Sequence, residues 1–377
     1  MKDVYINRIS KFLPNSPVTN DEMEERLGII NGKASKARRI VLRNNQIKTR
    51  YYALDDKGKV THNNAQLTAE AVEGLCDANF TKDDIQLLSC GTSSPDQILP
   101  SHTAMVHGFL GNGNIEINSA SGACCSGMNA LKFGYLSVKS GGVSNAVCAG
   151  SERTSTWMKS DVFEGEVESL KELEETPILA FNKEFLRWML SDGAGAVLLE
   201  DRPRGNTPLR IEWMEGYSYA HELEACMYAG GDKEEDGHLR PWSEFPSSQW
   251  AKKSLFAMKQ DTRLLGKNIL KKGVESLRHA YQKHGIGPGE VDYYLPHISS
   301  HYFKEGLYAE MKDQGIEMPW EKWFLNLERV GNIGAASIYV MLEELQASGK
   351  LKKGDKILLH VPESARFSYT YAYLTVS

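Results

Sequence analysis

The stretch Ser119-Ala-Ser-Gly-Ala-Cys-Cys-Ser-Gly-Met128 constrains this chain more than any other. It follows a short alternating run, Ile115 to Asn118, that predicts a strand. It opens the segment Asn129 to Lys139, which predicts a buried helix. Small residues let the backbone turn sharply and let a ligand reach a sulfur at the turn. The partial positive charge of a helix N-terminus favours thiolate over thiol there. A thiolate so placed accepts acyl groups. The plainer reading is a structural cysteine, since free cysteine is among the most buried residue types.

A chain of 377 residues has room for a large core, in two domains or one duplicated unit. A net charge of −5 gives no sign of a nucleic-acid partner. The first residues, Met1 to Tyr5, lack an apolar signal region, and no run reaches the roughly 18 apolar residues of a membrane helix. No membrane insertion is expected. The six cysteines (Cys76, Cys90, Cys124, Cys125, Cys148, Cys226) have no framework spacing and no CxxC pair. They read as reduced thiols in a cytoplasm, with no metal site.

Along the chain, Val4 to Ile9 predicts a strand, and Thr19 with Glu22 has the pattern of a capping box. Residues 31–50 carry Lys33, Lys36, Arg38, Arg39, Arg43, Lys48 and Arg50 without one acid. Such a span attracts anions or is simply a solvated face. Gln66 to Asn79 predicts an amphipathic helix, Ile85 to Cys90 and Gly142 to Ser151 buried strands, and Ser101 to Gly111 a helix. Strand and helix in alternation imply a parallel sheet covered by helices. Residues 158–185, rich in Glu from Glu164 to Glu175 and then carrying Pro177, read as an inserted surface helix or lid. Asp201 to Pro208 is linker-like, so the halves are 1–203 and 204–377. In the second half Leu209 to Trp213 predicts a strand and Leu264 to His284 a long helix. Val291 to Pro296 predicts a strand running into His297-Ile-Ser-Ser-His301. A small-residue turn, 331–337, then enters the helix Ile338 to Ser348, before two last strands, Lys356 to Val361 and Ser368 to Thr375. Residues 217–250 carry no clear pattern. A small-residue turn into a helix in each half hints at duplication.

His297 after a strand, or Asn332 beside a glycine, is unremarkable alone. A cysteine nucleophile with two neutral donors suits carbon–carbon bond formation at a thioester. The thiolate takes the acyl group. The donors then hold the negative charge on a second thioester's oxygen while its α-carbon attacks. In this respect the chain resembles the thiolase-fold condensing enzymes, specifically β-ketoacyl carrier-protein synthase III. Ala-Cys-Cys-Ser-Gly-Met resembles that family's A-C-x-G-F with Cys125 in register, because a glycine stands two places on. His297-Ile-Ser-Ser resembles H-Q-A-N, and Gly331-Asn-Ile-Gly-Ala-Ala-Ser337 resembles G-N-T-S-A-A-S. Ser191-Asp-Gly-Ala-Gly-Ala196 resembles G-D-G-A-G-A, and Ser151-Glu-Arg-Thr-Ser155 resembles A-E-x-x-S. The resemblance implies an α/β thiolase fold, with two duplicated halves in a layered αβαβα arrangement. It also implies a Cys125–His297–Asn332 triad, a homodimer, no bound cofactor, and substrates carried as acyl thioesters of acyl carrier protein or coenzyme A.

The departures from the family are informative. Ser364-Ala-Arg-Phe-Ser-Tyr369 replaces its G-G-G-F-T-W loop, so the amides of Cys125 and Ala365 would form the oxyanion hole. Glu363 and Arg366 beside that loop are unexpected and face the site or the surface. Ser300 stands for the H-Q-A-N asparagine, with His301 next to it. Leu99 stands where a partner-subunit aromatic often limits the acyl pocket. Ile40 and Asn44 fall where the family's coenzyme A contacts lie, which favours carrier-protein substrates. Arg38, Arg39 and Arg43 would then meet the carrier protein or its phosphopantetheine. The opening segments, Ile9-Ser-Lys-Phe-Leu-Pro14 and Leu42 to Tyr52, make the chain most similar to the ketosynthase/cyclases of dialkylresorcinol and bacterial stilbene biosynthesis. These join a β-ketoacyl thioester to a second acyl thioester and close a cyclohexanedione ring. The alternatives are a decarboxylating β-ketoacyl synthase III and, in another class, an inactive acyl- or carrier-binding partner subunit.

Overall fold

The computed structural model describes residues 1–32, 35, 38–164 and 186–377. Lys33, Lys36 and most of the acidic insertion, 165–185, lie outside the described residues. Nine strands form one mixed sheet: β1 (Tyr5–Phe12), β2 (Leu87–Thr92), β3 (Glu116–Ser121), β4 (Asn145–Glu152), β5 (Gly193–Glu200), β6 (Leu209–Ser218), β7 (Tyr293–Pro296), β8 (Lys356–Glu363) and β9 (Ser368–Val376). Their order is β7-β8-β9-β6-β1-β5-β4-β2-β3. The expected all-parallel sheet is corrected: β1–β5 and β5–β4 are antiparallel, and only β4–β2 and β2–β3 are parallel. The second half repeats this pattern. β6–β9 and β9–β8 are antiparallel and β8–β7 is parallel. The halves join where Tyr5 pairs with Arg210 and Ile6 with Leu209.

Six of the helices among the described residues pack on and between the two halves of this sheet: α1 (Asn64–Glu73), α2 (His102–Leu110), α3 (Cys125–Ser140), α4 (Thr262–His284), α5 (Tyr302–Asp313) and α6 (Ser337–Ala347). α1 stops at Gly74, earlier than its apolar periodicity suggested. α1 and α2 close one outer face, with Leu67, Val72 and Val106 against Val147 and Leu198. α4 and α5 close the other, with Val274, Leu277 and Leu307 around Tyr294 and Tyr371. α3 and α6 lie between the halves, where Met128, Leu131, Leu342 and Leu345 meet Val197 and Leu359. The layers are therefore αβαβα.

Small residues permit that central layer. A Cβ on Gly127 would stand 2.2 Å from the carbonyl oxygen of Ala335, and one on Gly134 2.2 Å from the sulfur of Cys148. The Tyr339 hydroxyl donates to the Gly127 carbonyl at 2.8 Å, fastening α6 to the first turn of α3. The two buried helices thus begin side by side, near the carboxyl ends of β2, β4, β7 and β8, the end of an α/β sheet where ligands bind.

Candidate active site

A small cavity of about 80 Å³ opens at this junction. Its walls are mainly apolar and come from both halves: Leu186, Met189 and Leu190 from the first, Leu265, Ile269 and Leu307 from the second. Cys124, Glu152, His297, Asn332 and His360 supply polar groups to the same cavity. Its lining, apolar walls with a few convergent polar groups, suits an apolar ligand with a polar head.

The structure brings His297 and Asn332 together as expected. His297 leaves the end of β7, and its amide donates to the His360 carbonyl at 2.8 Å. Its ring is buried and Nε2 has no hydrogen-bond partner. Burial holds its pKa down to about 4, so the ring is neutral at ordinary pH. Asn332 is fixed by its backbone, which bonds Met189 and Ser191. Its Oδ1 accepts from the Gly334 amide at 2.9 Å. That orientation leaves the carboxamide NH₂ as the group offered to a ligand.

The cysteine differs from the sequence register. Cys125 is buried, and its thiol points away from the cavity into the layer between β8 and β9. There Sγ donates to the carbonyls of Val361 (3.3 Å) and Ser368 (3.6 Å), and the Thr370 hydroxyl donates to Sγ at 3.5 Å. The cysteine on the cavity wall is Cys124, the N-cap of α3, which is partly exposed. Adjacent residues at a helix start project about 100° apart, so only one of the two meets the cavity. Two adjacent cysteines were the signal for this alternative; the glycine spacing hid it.

The expected thiolate is also corrected. Burial first, and then the carboxylate of Glu363, push both the Cys124 and Cys125 thiols above their ordinary value. Glu363, at the end of β8, turns inward, and its Oε2 accepts from the amides of Ala123 (3.0 Å) and Cys125 (2.9 Å). It neutralises the helix end that would have favoured thiolate, and it occupies the Cys125 amide assigned to an oxyanion hole. Ala365 is half-buried off the cavity wall, its carbonyl accepting from the amides of Cys226 (2.8 Å) and Met227 (3.3 Å); it is Ser364 that reaches the cavity.

Other expected positions separate as well. Ser300 is buried and its hydroxyl accepts from the Tyr302 amide, while Ser299 lines the cavity. His301 is half-buried beyond it, its amide bonding Asn45. Leu99 is 82% exposed and does not line this cavity. Arg366 is at the surface, its Nε donating to the Leu223 carbonyl at 3.2 Å. The basic span is not free of acids in space. Arg38 pairs with Glu24 at 2.8 Å and Asp21 at 3.4 Å, and Lys48 pairs with Glu328, whereas Arg39 and Arg43 are exposed. Among the described residues no group of three or more His, Cys, Asp or Glu is placed to hold a metal, and no helix is long and apolar enough to cross a membrane.

Comparisons with known proteins bear on the fold. Residues 281–361 match the family model for the C-terminal region of 3-oxoacyl-[acyl-carrier-protein (ACP)] synthase III. The chain is 26% identical to β-ketoacyl-[acyl-carrier-protein] synthase III of Aquifex aeolicus, over 78% of this chain and 77% of that one. It is 24% identical to synthase III 1 of Deinococcus radiodurans, over 96% and 90%. Among solved structures it superposes on the Aquifex aeolicus synthase III with a TM-score of 0.70 at 21% identity, covering 99% of both chains. It also superposes on OleA of Xanthomonas campestris, solved with lauric acid and lauroyl-CoA, with a TM-score of 0.75 at 21% identity, again over 99% of both. The chain has the layered α/β thiolase fold of these enzymes and is similar in sequence to the β-ketoacyl-acyl-carrier-protein synthases III.

Proposed function

We propose that this protein is a ketosynthase that carries one acyl chain on Cys124 and joins it to the α-carbon of a second thioester. One observation carries the reading: a single apolar cavity holds a partly exposed cysteine, an imidazole with an unpartnered Nε2 and a carboxamide with a free NH₂. The thiol of Cys124 attacks the incoming thioester, and the carrier thiol leaves. His297 and Asn332 then hold the oxygen of the second thioester as its α-carbon attacks the acyl-enzyme. The lauric acid and lauroyl-CoA named for the OleA structure support a long acyl chain as the ligand of such a cavity.

The second thioester is a β-ketoacyl chain, and a further carbon–carbon bond closes a cyclohexanedione, the precursor of a dialkylresorcinol. Acyl carrier protein delivers the substrates, the enzyme works as a homodimer in the cytoplasm, and no cofactor is bound. A decarboxylating β-ketoacyl synthase III is the second reading, favoured by the names of the sequence relatives.

Intact-protein mass after incubation with acyl thioesters tests the first step. One acyl group should appear, disappear in Cys124→Ala and persist in Cys125→Ala. The opposite pattern would return the nucleophile to Cys125. No label on the wild type would favour the inactive partner subunit. Cyclic product from a β-ketoacyl thioester without malonyl carrier protein separates ring closure from decarboxylation.

A further inference from the structure

A thiol whose charged form is disfavoured must lose its proton as it attacks. Three groups near the paired cysteines could take it. The neutral His297 is held to a low basicity by burial and is needed as a donor in the next step. Glu152 is saturated: Oε1 accepts from the amides of Ser93 (3.1 Å) and Ala335 (3.2 Å), and Oε2 from the hydroxyls of Ser93 (2.7 Å) and Ser94 (2.6 Å). Glu363 differs from both. Its Oε2 is fixed by the amides of Ala123 and Cys125, which flank Cys124, while its Oε1 accepts no hydrogen bond among the described residues.

Resting on the reading of Cys124 above, we propose that Glu363 is the proton acceptor for acyl transfer at this site. The thiol S–H breaks and its proton passes to the Glu363 carboxylate. The sulfur electron pair forms the new bond to the thioester carbon. The bond to the carrier sulfur breaks, and the departing thiolate takes the proton back from Glu363. Nothing is oxidised or reduced, and the carboxylate is regenerated in each transfer. The two amides aim Glu363 without consuming its second oxygen.

The groups that bear on this exchange are few. Oε2 of Glu363 is held by the amides on either side of Cys124, and its charge disfavours the charged forms of both cysteines of α3. Glu152 of β4 also disfavours the charged form of Cys124, and Cys125 that of Tyr369 on β9. No cation among the described residues bonds the Glu363 carboxylate. Burial raises its own pKa above the usual carboxylate value, which strengthens it as a base.

Glu363→Gln keeps an oxygen for both amides and removes the basicity. The acylation rate, read by intact mass across a pH series, should fall about 100-fold near neutrality. It should recover about tenfold per pH unit on the alkaline side, as solvent-generated thiolate replaces the base. Glu363→Ala, which opens space, should be accelerated by added formate or acetate. A Glu363→Gln enzyme acylated at the wild-type rate or faster overturns the proposal, as does a loss equal at every pH with no rescue of the alanine variant. Wild-type enzyme that no thioester labels overturns the reading of Cys124 itself, a separate outcome.

Discussion

At Gly127 an added methyl group would meet a backbone oxygen rather than a flexible side chain, so neither buried helix can yield without moving the other. Gly127→Ala should cost about 3 kcal/mol in denaturant unfolding, the upper range for overpacking a core. His102 shows a different cost of burial. Desolvation lowers its pKa to about 4, against the ordinary 6.5, while Asp96 opposes this weakly. The unfolded chain therefore takes up a proton near pH 6.5 that the folded chain refuses until about pH 4. That part of the stability is complete above pH 6.5 and is lost as pH falls toward 4. Buried Glu152, Asp192 and Glu363 have raised values and act in the opposite direction, so whole-protein stability mixes both signs. A difference isolates the histidine. The stability advantage of wild type over His102→Gln should shrink by up to about 1.4 kcal/mol per pH unit between pH 6.5 and 4. A pH-independent difference would refute it.

The start of α1 is built from a reciprocal pair. The Asn63 side chain accepts from the Gln66 amide at 2.8 Å, and the Gln66 side chain accepts from the Asn63 amide at 2.9 Å. Asn63→Ala should lower the unfolding free energy by about 1 kcal/mol, read as a shift in denaturant midpoint, with acylation retained because α1 lies on an outer face. The apparent box at Thr19 behaves differently. Glu22 does accept from the Thr19 amide at 2.8 Å, but the helix begins only at Met23, with Glu22 itself as N-cap. The same local pattern ends as a helix cap in one place and as a turn in the other, because packing around it decides where the helix starts.

The cavity belongs to neither half alone. Leu190 and Leu307 face one space from opposite halves, so a bulky residue on either wall shortens the chain that fits. Leu307→Trp should depress labelling by long acyl thioesters about tenfold more than labelling by short ones. Equal loss across chain lengths would place the acyl chain elsewhere. At the outer surface Arg38 is committed to Glu24, which leaves Arg39 and Arg43 for a charged carrier. Charge reversal of those two should slow carrier-bound substrates and spare small thioester analogues. Equal slowing of both would speak against a carrier contact.

The sequence by itself determined an α/β fold of two similar halves, because apolar strands and small-residue turns recur in both and dictate what must be buried, and the resemblance of its motifs added the layered arrangement. The resemblance of its motifs to a known family pointed to His297 and Asn332 together, and both line one cavity. Residues without local periodicity, such as Met227, Met258 and Gln260, reach the cavity only through long-range packing. Tertiary structure alone decided which cysteine meets the cavity, because a one-residue step at a helix start rotates a side chain from the cavity into the core. It alone turned Glu363 onto the amides of α3, from 238 residues away along the chain. And it alone gave Arg38 its carboxylates, since a charge finds its partner by distance in space and not by position in the sequence.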